Sequence, residues 1–171
     1  MSKLRVLVTD KIDPKGLEPL ARHPGIELRY EVAPKPEVLE KALVGTGVWL
    51  VRSETKVTAE WIAKAADLRL IGRAGVGVDN IDLAAATRRG IAVINAPAAN
   101  TLAATEHTLA LMLALARHIP QADASVKAGQ WERSKFLGAE LHGKTLGVIG
   151  LGRIGREGVR RAQVFGMKII G

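Results

Sequence analysis

The chain has 171 residues, 47% of them hydrophobic, no cysteine and a formal charge of +8, which provides a sizeable core and excludes disulfides, thiol nucleophiles and thiolate metal sites. The positive excess attracts anions, but with three Trp, one Tyr and two Phe and no interleaving of basic with aromatic residues, the partners expected are small anionic molecules and not nucleic acid. The longest strongly apolar stretch, 109–116, is too short to cross a bilayer and Met1 to Arg5 runs into a strand without the build of a signal peptide, so the expectation is a cytoplasmic protein with no membrane partner.

Strand-like runs recur at Leu4–Val8, Ile26–Tyr30, Val48–Val51, Leu68–Ile71 and Ile91–Ile94. Helical patterns lie between them, each with a start signal: Asp13 with Pro14, then Pro36, Thr58 and Asp82. This alternation predicts a parallel α/β sheet with right-handed crossovers, a doubly wound unit filling residues 1–96. Asn95 to Thr101, broken by Pro97 and offering a cap at Asn100 or Thr101, reads as a domain boundary. A long helix follows to Arg117 or His118, Pro120 starts a shorter one, and Gly129 to Gly143 reads as a polar arm carrying Trp131 and Phe136.

The most informative segment comes last. Thr145 to Ile149 has the composition of a buried strand, and Gly150, Gly152 and Gly155 then match the glycine spacing that joins a strand to a helix around a dinucleotide pyrophosphate. Gly150 permits a tight turn, Gly152 lets the anion approach the backbone, and Gly155 lets the helix lie close to the strand. A helix over 156–165, Gly166 and a strand over 167–170 complete the context. The acidic residue that holds the ribose falls about 20 positions into the motif, where residues 168–171 read Lys, Ile, Ile, Gly. These residues therefore do not choose between NAD and NADP. Of the cluster Arg153, Arg156, Arg160 and Arg161, the first turn is expected to face phosphate and the rest solvent.

At 73–80, 95–101 and 150–155 the chain resembles the D-isomer-specific 2-hydroxyacid dehydrogenases. At 50–58, 129–133 and 165–168 it is similar to the branch of that family that oxidises 3-phospho-D-glycerate to 3-phosphohydroxypyruvate in serine synthesis. The resemblance implies a flavodoxin-like substrate domain over 1–96 and the beginning of a Rossmann NAD-binding domain over 97–171. It implies NAD as cofactor, an anionic 2-hydroxy or 2-oxo acid as substrate, and a homo-oligomer such as a dimer. Substrate binding is implied for Arg52, Ser53, Arg73, Gly75, Val76, Gly77, Asn100 and Arg133, and cofactor binding for Val76, Gly150, Gly152, Arg153, Ile154 and Gly155. Arginines suit carboxylate or phosphate, and glycines flanking Val76 open its backbone N–H groups to an anion. Val76 departs from members with a hydroxyl residue there. Trp131 and Arg133 would belong to an arm that reaches a neighbouring subunit.

Hydride transfer to a 2-oxo acid needs an acid and a cation to polarise the carbonyl. The family's histidine, glutamate and arginine for these tasks match no position here, so no catalytic residue is assigned and the chain alone is expected to be inactive. The four histidines do not substitute: His23 and His142 fall in loops, His107 lies inside the long helix facing away from Glu106, and His118 ends that helix. No spacing fits a metal site. The alternatives are a glyoxylate or hydroxypyruvate reductase of the same family, and a non-catalytic dinucleotide-binding or dimerisation module.

Overall fold

A computed structural model describes residues 3–171, and the chain divides into two compact units after Ala99. In the first, strands β1 (Leu4–Val8), β2 (Ile26–Tyr30), β3 (Val48–Val51), β4 (Leu70–Arg73) and β5 (Ala92–Asn95) alternate with helices α1 (Pro14–Ala21), α2 (Pro36–Leu43), α3 (Ala59–Lys64) and α4 (Leu83–Arg88). All neighbours are parallel, in the order β2-β1-β3-β4-β5, which is the flavodoxin-like order. The start signals act as caps: Asp13, Thr58 and Asp82 accept the N–H groups of Lys15, Trp61 and Ala85, and Pro36 opens α2.

The first three strands have the expected bounds, whereas β4 starts at Leu70 instead of Leu68 and β5 at Ala92 instead of Ile91. Register explains the shift, because Val48 of β3 pairs with Leu70, which pairs with Ala92. Leu68 and Ile91 are buried, but in the turns that approach the strands. Leu7, Trp49, Val51 and Ile71 of the sheet pack in one cluster with Leu43, Ile62 and Ala86 of α2, α3 and α4. Each large apolar side chain buried there contributes on the order of 1.5–3 kcal/mol. Trp49 is fully buried, and its indole N–H donates to Thr9 Oγ1 at 2.9 Å.

The second unit holds α5 (Thr101–Ala116), α6 (Ile119–Lys127), a 3-10 turn (Arg133–Phe136), β6 (Thr145–Gly147), α7 (Arg153–Val164) and β7 (Lys168–Ile170). β6 and β7 pair in parallel around α7, the strand-helix-strand unit that begins a Rossmann domain. Three expectations need correction. The fingerprint strand is not buried: it ends at Gly147, Thr145 and Gly147 are exposed, and Ile149 is fully exposed, because among the described residues β6 pairs on one side only. Helix α7 begins at Arg153 and not at Arg156, which puts Arg153 and Ile154 in its first turn. His118 does not end the long helix; it stands at φ 52° between α5 and α6, in the left-handed region. Asn100 takes the cap position of α5, but its side chain makes no capping hydrogen bond. Among the described residues no helix is long and apolar enough to cross a membrane.

Candidate functional site

Parallel strands deliver their following loops to one edge, and in the first unit that edge collects Asp10 after β1, Arg52 and Ser53 after β3, Arg73 at the end of β4 and Asn95 at the end of β5. Arg52 and Ser53 are exposed. The Arg73 Nε donates to the Arg52 carbonyl at 3.2 Å, so both cationic residues belong to one hydrogen-bonded assembly. The Arg73 guanidinium lies over the loop that follows β4: a Cβ built on Gly75 would stand 2.8 Å from its Nη1, and one on Gly77 3.5 Å. The N–H groups of Val76 and Gly77 have no hydrogen-bond partner among the described residues, while the Val76 carbonyl accepts from Asn95 Nδ2 at 2.6 Å. Free backbone donors beneath a guanidinium make an anion-binding concavity. The Asp79 carboxylate sits against Gly77, which leaves the Gly75 and Val76 side as the favourable one for an anion.

In the second unit the three fingerprint glycines have three different surroundings. Gly150 adopts φ 93°, where any L side chain is strained. Nothing lies within 4 Å of a Cβ on Gly152, whereas a Cβ on Gly155 would run into the Gly150 carbonyl oxygen and stand 3.5 Å from Val148 Cγ1. Gly155 thus serves close packing of helix on turn, and Gly152 leaves open space. The first N–H groups of α7 have no side-chain cap, and the helix dipole adds to their attraction for an anion. These residues fit a pyrophosphate. Further along α7 the charges are internally paired: Glu157 meets Arg160 at 3.0 Å and Arg161 at 2.5 Å, and the Arg161 hydrogen bond, followed by that of Arg160, holds its carboxyl below the usual range. Arg156 donates to the Leu151 carbonyl at 2.8 Å. An apolar cleft of about 210 Å³ beside the turn, lined by Leu109, Met112, Leu146 and Val148 among others, has no titratable group.

The predicted residues therefore fall into two groups, one in each unit: Arg52, Ser53, Arg73, Gly75, Val76 and Gly77, and then Gly150, Gly152, Arg153, Ile154 and Gly155. Asn100 at the start of α5 and Arg133, exposed at the start of the 3-10 turn, belong to the second unit and lie in neither loop. Sequence reading missed the groups that hold the first cluster in place, namely Asp10, Thr55, Asn80 and Asn95. No local pattern marked Asp10 and Asn80, because the turn they serve stands 42 and 28 residues away. Among the described residues no histidine meets a carboxylate and no group of acidic or histidine side chains forms a metal site.

A family model described as D-isomer specific 2-hydroxyacid dehydrogenase, catalytic domain, matches residues 6–163. The chain belongs to this family. Within the D-isomer specific 2-hydroxyacid dehydrogenases, it is 53% identical over 168 residues to a D-3-phosphoglycerate dehydrogenase of Methanocaldococcus jannaschii, covering 98% of this chain and 32% of that protein. A Bacillus subtilis protein of the same name is 50% identical over 165 residues, covering 96% of this chain and 31% of its own length. Among solved structures, the D-lactate dehydrogenase of Aquifex aeolicus complexed with NAD and lactic acid aligns with a TM-score of 0.83 at 32% identity, over 96% of this chain and 50% of that one. The chain thus spans about a third of the length of these curated relatives.

Proposed function

We propose that this chain supplies the anion-holding loops and the first pyrophosphate turn of an NAD-dependent enzyme that oxidises 3-phospho-D-glycerate to 3-phosphohydroxypyruvate. The observation that carries the reading is the hydrogen bond from Arg73 to the Arg52 backbone carbonyl, which ties the Arg73 guanidinium, set against Gly75 and Gly77, to the turn that carries Arg52, next to the unpartnered N–H groups of Val76 and Gly77. A substrate with both a carboxylate and a phosphate calls for more than one such anion contact. The similarity to D-3-phosphoglycerate dehydrogenases at about half identity supports this substrate over unphosphorylated hydroxy acids.

Gly150, Gly152 and Gly155, with the N–H groups of Arg153 and Ile154, would hold the dinucleotide pyrophosphate, and Val76 would lie near the nicotinamide. When bound, NAD supplies the acceptor for the hydride that leaves C2 of the substrate alcohol. Arg52, Ser53, Arg73 and the loop at Gly75 to Gly77 bind and orient the acid. These loops offer no acid–base group and no carbonyl-polarising cation, so the chain alone should bind without turnover; oxidation of NADH by 3-phosphohydroxypyruvate in the presence of the purified chain alone would show otherwise. Asn100 and Arg133 complete the substrate contacts, Arg133 with Trp131 across a homo-oligomer, as supported by the exposure of both.

The test is calorimetric titration of the chain with 3-phospho-D-glycerate and with D-glycerate. Binding that needs the phosphate and weakens on Arg52→Gln or Arg73→Gln is the expected result. Equal binding of both acids would instead favour a glyoxylate or hydroxypyruvate reductase.

A further inference from the structure

The turn from Arg52 to Thr55 is fixed at its two ends and free in its middle. At the first end, the Arg52 N–H donates to the carboxylate of Asp10, and the Arg52 carbonyl accepts from Asn80 Nδ2 at 2.8 Å as well as from Arg73. At the other end, the Thr55 N–H donates to the same carboxylate at 3.1 and 3.2 Å, the Thr55 hydroxyl donates to it too, and the Thr55 carbonyl accepts from the same Asn80 Nδ2 at 2.7 Å. The N–H groups of Ser53 and Glu54 have no partner among the described residues. Asp10 is 1% exposed and forms no ion pair with a described cation, so its buried oxygens are satisfied by the donors of this turn. Two carbonyls on one amide nitrogen fix which way the Asn80 amide points, and its Oδ1 is buried without a partner.

We infer that Asp10 and Asn80 are positioning residues that hold this turn closed, so that Arg52 and Ser53 meet an anion already ordered. Asp10 gathers the N–H groups of both ends and Asn80 gathers their carbonyls. Asn80 also lies in the stretch that carries Gly75 to Gly77, and the bridge between Val57 and Ile81 ties that stretch to the strand-end turn. Asn80 therefore sets the spacing of the two anion loops. An ordered loop loses less entropy on binding, which raises affinity without a new contact. The inference rests on the reading of these loops as the substrate-anion site.

The experiment compares the chain with its Asn80→Asp, Asn80→Ala and Asp10→Asn variants. Asn80→Asp keeps the shape and replaces the donor by an acceptor. Amide exchange by NMR is read without ligand, and affinity for 3-phospho-D-glycerate is read by shift titration with inorganic phosphate as control. The expected result is faster exchange at Arg52 and Thr55 with β1 and β3 unchanged, and roughly tenfold weaker binding. Unchanged exchange at the turn overturns the inference, whether or not a ligand binds. A loosened turn with unchanged affinity also overturns it. A loosened turn in a parent chain that binds no phosphoglycerate supports the closure and removes the substrate reading instead. Should Asp10→Asn fail to fold, the two variants of half-buried Asn80 carry the test.

Discussion

The two units put their apolar residues to opposite uses. In the first, Leu7, Leu43, Trp49, Ile62 and Ile71 are all within 1% of complete burial, and the polar groups at the sheet edge are held by hydrogen bonds from neighbouring loops. In the second, Ala162 is the one fully buried hydrophobic residue among those described, while Leu111, Leu115, Leu137 and Val164 are exposed. The second half of helix α5, from Leu109 to Ala116, is apolar on every face, the pattern of a buried helix. A glycine turn can therefore be well formed where the packing around it is thin. The turn needs local glycines and one helix end, whereas a core needs many partners.

The largest break in this contrast comes from Trp49→Ala, which removes a fully buried indole and its bond to Thr9. We expect a loss of about 3–5 kcal/mol in denaturant unfolding followed by the amides of β1 to β5. In the thin unit, Gly155→Ala forces a Cβ against the Gly150 carbonyl and should cost about 1–3 kcal/mol at the amides of α7. Gly152→Ala, a few residues away in open space, should change stability by no more than about 0.5 kcal/mol yet weaken NADH binding measured by energy transfer from tryptophan. Equal effects of the two substitutions would refute the division of labour drawn between these glycines. Asp82→Ala removes the cap of α4 and should cost about 1 kcal/mol in the first unit.

The smallest effect concerns acid. The Glu157 carboxyl is held below its reference value of 4.5 by Arg161 and Arg160. A depressed carboxylate contributes stability above the unfolded value and loses it as pH falls through the folded one. The α7 amides should therefore lose protection as pH drops below 4.5, and Glu157→Gln should flatten that dependence.

Much of this was legible from residue order. Leu4–Val8, Ile26–Tyr30 and Val48–Val51 have strand bounds equal to their apolar runs, and Asp13, Thr58 and Asp82 cap the helices they precede. The glycine spacing at 150, 152 and 155 likewise gave three separable surroundings. The ends of β4 and β5 were not legible, because pairing of β4 with β3 and of β5 with β4 sets them and hydropathy does not. Nor was the burial of β6, which depends on neighbours on both of its sides. Asp10 and Asn80 were invisible for another reason: their partners stand 42 and 28 residues away, and no local pattern marks a side chain that serves a distant loop.

The turn at Arg52 to Thr55 has a consequence for change over time. Its anchors lie at its ends, in Asp10 and Asn80, while Ser53 and Glu54 between them are exposed and hold up nothing else in the sheet. New side chains can be tried at those two places at little cost to folding, so, if the turn holds the acid as proposed, the preference for one acid over another is open to revision there by selection or by design.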